Sequence, residues 1–326
     1  MEFLYLLEKI RFPFLDKIML AVTYLGDEIA FLVVALFLFW CVDKRKGYFV
    51  LSVGFFGTII SQFMKIWFRI PRPWVKDENF TILEQAREGA GGYSFPSGHS
   101  QSSVGTFGSI AVTTKSKLLR ILSIAVCLLV PFSRMYIGVH TPLDVLVGFG
   151  LAVVLILVLR PLVFGKDGKY LPGVLLAMTV LAAAYVAFIH LYKFPAEVFV
   201  PDPNTKVTPW FSAAKHAYTM IGALIGFLVV YFVDRKWLNF PEKAVWWAQI
   251  LKFVVGLGLV LMVKEGMRAP LEALCGALLQ ALPERFTAME LSVLVARAMR
   301  YFLIVIMAGV IWPISFRWFA KLGKKE

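Results

Sequence analysis

The chain has 326 residues, of which 59% are hydrophobic and 15% aromatic against only 17% charged. That apolar share is too large for an ordinary soluble domain and makes this an integral membrane protein. The formal charge of +13 raises nucleic acid as a partner, so the placement of the basic side chains has to decide.

The chain opens with MEFLYLLEKIRFPF, in which acids and bases are mixed among apolar residues. It has none of the basic start, apolar centre and small-residue cleavage site that mark a signal peptide. This predicts a retained, interfacial amphipathic segment over 1–26. Apolar runs then follow at about 27–42, 46–68, 97–114, 117–135, 142–163, 171–191, 211–233, 244–263 and 299–319, each near the roughly 20 residues that cross a hydrocarbon core. The expected fold is all-α, a polytopic transmembrane helical bundle of about nine spans. The stretches 14–26 and 270–282 are too short or too interrupted to span, and read as re-entrant or interfacial helices. Cys41, Cys127 and Cys275 show no metal-ligand spacing and are expected to be free, buried thiols.

On this span map Lys44, Arg45 and Lys46 share one loop, Lys115, Lys117 and Arg120 another, Arg160, Lys166 and Lys169 a third, and Arg235, Lys236 and Lys243 a fourth. Arg317, Lys321, Lys324 and Lys325 end the chain on the same side. Basic residues crowded into short loops on one face mark that face as cytoplasmic. Lys193, Lys206, Arg268 and Arg285 lie opposite, in longer loops that weigh less. The charge is therefore read as topology, with no nucleic-acid partner.

The same map gathers the polar residues. Lys65, Arg72 and Pro73 follow the exit of the second span, and Pro96-Ser97-Gly98-His99 opens the third. Ser133 and Arg134 close the fourth, and His140 to Asp144 open the fifth. All converge on the non-cytoplasmic face, where three cations in one layer are costly unless they meet an anion. Ser97 is a good N-cap, and the helix after it would aim free amides and its positive end outward. Guanidinium forks suit phosphate oxygens. Thr141 as N-cap and Pro142 at the first helical position place Asp144 in the first turn, four residues after His140. There the carboxylate can accept Nδ1–H, leaving Nε2 of His140 to attack phosphorus. His99 is left to protonate the leaving oxygen.

The pattern KIWFRIPRP, PSGH and SRMYIGVHTPLD resembles the three motifs of the type 2 phosphatidic acid phosphatase superfamily. The resemblance implies phosphate binding by Lys65, Arg72, Ser97, Gly98 and Arg134. It implies a general acid at His99, a nucleophile at His140, an orienting aspartate at Asp144, and neither metal nor cofactor. It also implies a catalytic transmembrane core, placed at 27–191, with additional helices over 192–326. The function expected is hydrolysis of a phosphate or pyrophosphate monoester of a lipid, such as a polyprenyl pyrophosphate, through a phosphohistidine, at the extracytoplasmic face of a bacterial cell membrane. The nine-span plan also resembles the glucose-6-phosphatase branch, which keeps a soluble ester open as substrate. Lipid phosphotransfer and non-catalytic phosphate binding stay open beside hydrolysis. The extra spans are left to cover the core, form a homodimer or select a lipid chain.

Each residue also has a plainer reading. PSGH alone could be a helix cap, Arg134 a snorkelling side chain and the His to Asp spacing chance. His190 and His216, near the outer ends of spans, are set aside as hydrogen-bonded or interfacial, though Lys215 and His216 are weighed as pocket lining. The segment GAGGYSF is read as a flexible aromatic access lip, with Trp74, Tyr93, Phe95 and Trp210 as outer-face aromatics.

Overall fold

The computed structural model describes residues 1–202, 206–279 and 288–322. Lys324, Lys325, Arg285 and the end of the 270–282 stretch lie outside the described residues. The chain divides into two compact units. One is Met1–Ala35 with Tyr48–Asp167 and Tyr192–Ala213, and the other is Leu36–Gly47 with Gly168–Leu191 and Ala214–Glu326.

In the first unit, α1 (Glu2–Lys9) buries Leu4 and Leu7, and its Tyr5 hydroxyl donates to Asp77 at 2.8 Å. Its neighbour α2 (Pro13–Thr23) begins on a proline, whose missing N–H costs nothing at a helix start. A 3₁₀ turn, Tyr24–Gly26, leads into α3 (Glu28–Phe37). The stretches Pro13–Gly26 and Glu28–Val42 meet at 54°, so the 14–26 segment is one limb of a bent pair.

The long α4 (Lys44–Phe68) stops where Arg69 takes φ of 52°, with Pro71 and Pro73 closing off continuation. After α5 (Pro73–Lys76) come three helices whose starts and ends build the site: α6 (Gly98–Thr113), α7 (Lys117–Tyr136) and α8 (Pro142–Phe164). Their N-termini are set by local chemistry. Ser97 Oγ accepts from Ser100 N, Ser116 from Leu119 N, and Thr141 from Asp144 N in a reciprocal capping box. The buried face of α6 carries Ser100, Ser103, Gly105 and Ser109, small enough for α7 and α8 to pack against it closely.

The second unit holds α9 (Leu171–Leu191), α10 (Pro209–Val233), α11 (Trp246–Gly266), α12 (Arg268–Leu279), α13 (Ala288–Ile306) and α14 (Phe316–Phe319). The ranges of α3, α4 and α10 each run past a unit boundary. Within this unit Lys252 is buried, donating to Trp40 O at 2.8 Å and Glu242 O at 2.7 Å. Lys44 pairs with Asp234 at 2.8 Å. These contacts satisfy ammonium groups that would otherwise be expensive in an apolar setting.

The architecture is an all-α transmembrane bundle. Among the described residues, seven helical stretches are long and apolar enough to cross a membrane, or eight with the bent pair as one span. The remainder of the nine expected runs is α6, which at 16 residues is only about 24 Å long. Cys41, Cys127 and Cys275 are free and buried.

Candidate active site

Every residue singled out by the motifs falls in the first unit. Ser97 N donates to Asp144 O at 2.9 Å, tying the start of α6 to the start of α8. The two capped helix ends are thereby held side by side, and the loop before α8 brings His140 into the same layer.

His140 and Asp144 are 2% and 1% exposed, so neither meets bulk water. Arg72 Nη1 lies 2.9 Å from His140 Nε2 and also donates to Val139 O at 3.0 Å. A guanidinium can only donate, so Nε2 carries the lone pair and Nδ1 carries the proton. The expected direct bond from Nδ1 to Asp144 is stretched to 3.6 Å. Ser94 stands between them: its Oγ is 3.3 Å from Nδ1 and donates to Asp144 Oδ2 at 2.6 Å. The same carboxylate oxygen accepts from Thr141 N at 2.7 Å. The chain of donors therefore runs from Nδ1–H to Ser94 and from Ser94 to Asp144, with the carboxylate fixed by its own capping box.

The cations are anchored individually. Arg72 also donates to Gly92 O at 3.1 Å and Gly91 O at 3.0 Å. Lys65 donates to Tyr93 O at 2.9 Å and Ser94 O at 3.3 Å. Arg134, on α7, donates through Nη1 to Thr23 Oγ1 at 2.8 Å, while its buried Nε has no acceptor. Burial first, and then Arg72, Arg134 and Lys65, push the His140 imidazole well below its ordinary range, so the ring in the loop between α7 and α8 is held neutral. A neutral imidazole with Nε2 unprotonated is the nucleophilic form.

His99, at the start of α6, has a carboxylate partner: its Nε2 pairs with Asp27 Oδ1 at 2.7 Å. A Cβ built on Gly98 meets no heavy atom within 4 Å, so open space adjoins the first amides of α6. Among the described residues no group of three or more His, Cys, Asp or Glu comes together as a metal site.

The segment GAGGYSF is exposed at Gly89 but turns inward toward Phe95 and builds part of the site. Its carbonyls are the acceptors for Arg72 and Lys65, Ser94 is buried within the site, and Phe95 is buried against Phe68 at 5.3 Å. Trp210 is likewise buried. Lys215, His216 and His190 belong to the second unit, where His190 Nε2 lies 3.1 Å from the Tyr218 hydroxyl.

The motifs pointed to neither Ser94, Thr23 nor Asp27. Ser94 lies three residues before Ser97, and nothing about its spacing sets it apart from a turn residue. Thr23 belongs to the stretch expected to be interfacial, and Asp27 is the first residue of the first apolar run expected to span.

A family model described as the PAP2 superfamily matches residues 45–167, and one described as PAP2 superfamily phosphatase, transmembrane extension, matches residues 218–325. Phosphatidylglycerophosphatase B of Bacillus subtilis is 29% identical over 166 residues, covering 46% of this chain and 76% of that protein. Undecaprenyl-diphosphatase BcrC of the same organism is 29% identical over 143 residues, covering 43% and 71%. Human sphingosine-1-phosphate phosphatase 2 is 24% identical over 262 residues, covering 74% and 61%. No solved structure matches the chain. With models of one superfamily over both parts of its length, and the residues that carry the resemblance inside the first of them, this chain belongs to the PAP2 superfamily of phosphatases.

Proposed function

We propose that this integral membrane phosphatase hydrolyses the phosphate or pyrophosphate monoester of a lipid through a phosphohistidine on His140. The observation that carries this reading is the buried imidazole whose Nδ1 faces Ser94, and through it Asp144, while Nε2 faces Arg72. Lys65, Arg72 and Arg134, with Ser97 capping α6 and Gly98 opening it, surround the position a phosphoryl group would take. On binding, Arg72 Nη1 exchanges its contact with Nε2 for one with a phosphoryl oxygen. This frees the lone pair for in-line attack, and the three cations stabilise charge on the equatorial oxygens. The imidazolium that forms keeps its Nδ1–H, donated to Ser94, and the Asp144 carboxylate behind Ser94 stabilises its charge, as an orienting carboxylate does in other nucleophilic sites. His99 protonates the leaving oxygen and then activates the water that releases phosphate.

The lipid assignment is supported by the named relatives, which act on phosphatidylglycerophosphate, undecaprenyl diphosphate and sphingosine 1-phosphate by their names. A lipid presents its phosphate where helix ends meet the headgroup layer without leaving the bilayer. The leading substrate is a polyprenyl pyrophosphate, and charge asymmetry favours an active layer on the extracytoplasmic face of a bacterial cell membrane.

The test is phosphate release by the purified protein in detergent, without divalent metal, across polyprenyl pyrophosphate, phosphatidate, phosphatidylglycerol phosphate and glucose 6-phosphate. The lipids are expected to be turned over, with an acid-labile phosphoenzyme trapped in the wild type and both signals lost in His140→Ala. Full activity in His140→Ala removes the phosphohistidine. Glucose 6-phosphate turned over faster than any lipid moves the substrate to a soluble ester.

A further inference from the structure

The bend between α2 and α3 sets two side chains against the site. Thr23 ends α2, Asp27 precedes α3, and the turn Tyr24–Gly26 joins them. Gly26 is pressed onto the start of α6. A Cβ there would lie 2.8 Å from Val130 Cγ1, 3.0 Å from His99 O and 3.1 Å from His99 Cβ. From this turn Asp27 Oδ1 reaches His99 Nε2 at 2.7 Å, and Thr23 Oγ1 accepts from Arg134 Nη1 at 2.8 Å. Asp27 also begins α3, since Phe31 N donates to its carbonyl at 3.1 Å. Its backbone is thus fixed by one helix while its carboxylate is aimed at another.

We propose that Asp27 is the positioning residue for the proton donor of the reaction, accepting Nε2–H of His99 so that Nδ1–H is the proton delivered to the leaving oxygen. The inference rests on the reading of His99 as general acid given above. A carboxylate on one ring nitrogen fixes the tautomer and orientation of the other. As His140 Nε2 bonds to phosphorus, the ester P–O bond breaks with its electron pair on oxygen, and the Nδ1 proton of His99 passes to that oxygen. His99 is then neutral, with Nε2–H still on Asp27. In the second half Nδ1 takes a proton from water, the water oxygen bonds to phosphorus, and the P–N electron pair returns to His140. The charged and titratable groups facing His99 are Asp27 from the α2–α3 turn, Arg134 from α7, Arg72 from the segment after α4, and His140 from the loop before α8.

The test compares farnesyl phosphate with farnesyl pyrophosphate. The tails are identical, but one expels an alkoxide, which needs the acid, and the other a phosphate, which leaves with little help. Asp27→Asn and Asp27→Ser both keep a residue suited to start α3. Each is expected to lower kcat on farnesyl phosphate by about 10- to 100-fold, part of what a general acid supplies, with KM little changed and a much smaller loss on the pyrophosphate. His99→Gln is expected to show the same split, enlarged. Equal losses on both substrates, in a variant that folds, would make Asp27 structural and overturn the proposal. Wild-type or faster turnover of farnesyl phosphate in the Asp27 variants, with the split intact in His99→Gln, would overturn this inference alone. An absent split in His99→Gln would remove the acid role of His99 itself, and the inference with it.

Discussion

At His140 the two ring nitrogens do different work because their neighbours differ in what they can donate. Arg72 has only protons to give, so it leaves the lone pair on Nε2. Ser94 can accept from Nδ1 while its own proton goes to Asp144 at 2.6 Å. Ser94 is therefore the coupling between the Asp144 carboxylate and the His140 ring, since the direct distance of 3.6 Å is too long for a good hydrogen bond. Replacing Ser94 with Ala should slow phosphoenzyme formation by about 10- to 100-fold, the usual loss when an orienting partner is removed. Burst-phase kinetics with a lipid phosphate would read this. An unchanged burst rate would show that Asp144 orients the ring without the hydroxyl.

At the scale of elements, the proposed catalysis requires two helix starts to meet, those of α6 and α8. Gly148 on α8 permits it: a Cβ there would lie 2.5 Å from Ser97 O and 3.4 Å from Gln101 N. Gly148→Ala therefore pushes α6 away from α8 and strains the bond from Ser97 N to Asp144 O. A displacement of about 1 Å in a reacting constellation can cost about 100-fold in rate. Gly150→Ala is the control, since a Cβ there meets nothing within 4 Å. Activity and circular dichroism of the two variants separate the outcomes. Gly148→Ala should keep its helical content and lose turnover, and Gly150→Ala should keep both. Equal activity in the two would mean that the helix starts tolerate separation.

For the whole molecule, the placement of the basic residues predicts an orientation, because charged side chains in short loops resist transfer across the membrane. The exposed Gly89, in the segment after α5, and the exposed Lys169, before α9, lie on opposite faces by this argument. Cysteine at Gly89 should react with an impermeant thiol reagent in intact cells, while cysteine at Lys169 should react only after permeabilisation. The native cysteines are buried, so background labelling is low. The reverse pattern would place the active layer in the cytoplasm.

Membrane character, the helical runs and the residues of the three motifs are all legible in the amino-acid order alone. These follow from local physics. A run of apolar side chains is long enough to span or it is not, and Ser97, Thr141 and Pro142 specify helix starts within a turn of themselves. Once span ends were located, Lys65, Arg72, His99, Arg134, His140 and Asp144 had to share a layer. Only the tertiary structure decided how they are connected. Ser94 meets Asp144 across 50 residues and Thr23 meets Arg134 across 111, and neither partner carries a periodic or capping signal that announces the other. The role of 14–26 turned on the same limit. Its apolar face suits a headgroup layer or a protein neighbour equally well, and the 54° bend that brings Asp27 to His99 is a property of packing against α6 and α7. The extent of α6, Gly98–Thr113 against an expected 97–114, was legible, but its packing was not. Its buried serines and glycines lower its hydropathy, yet they are what lets α7 and α8 close around it.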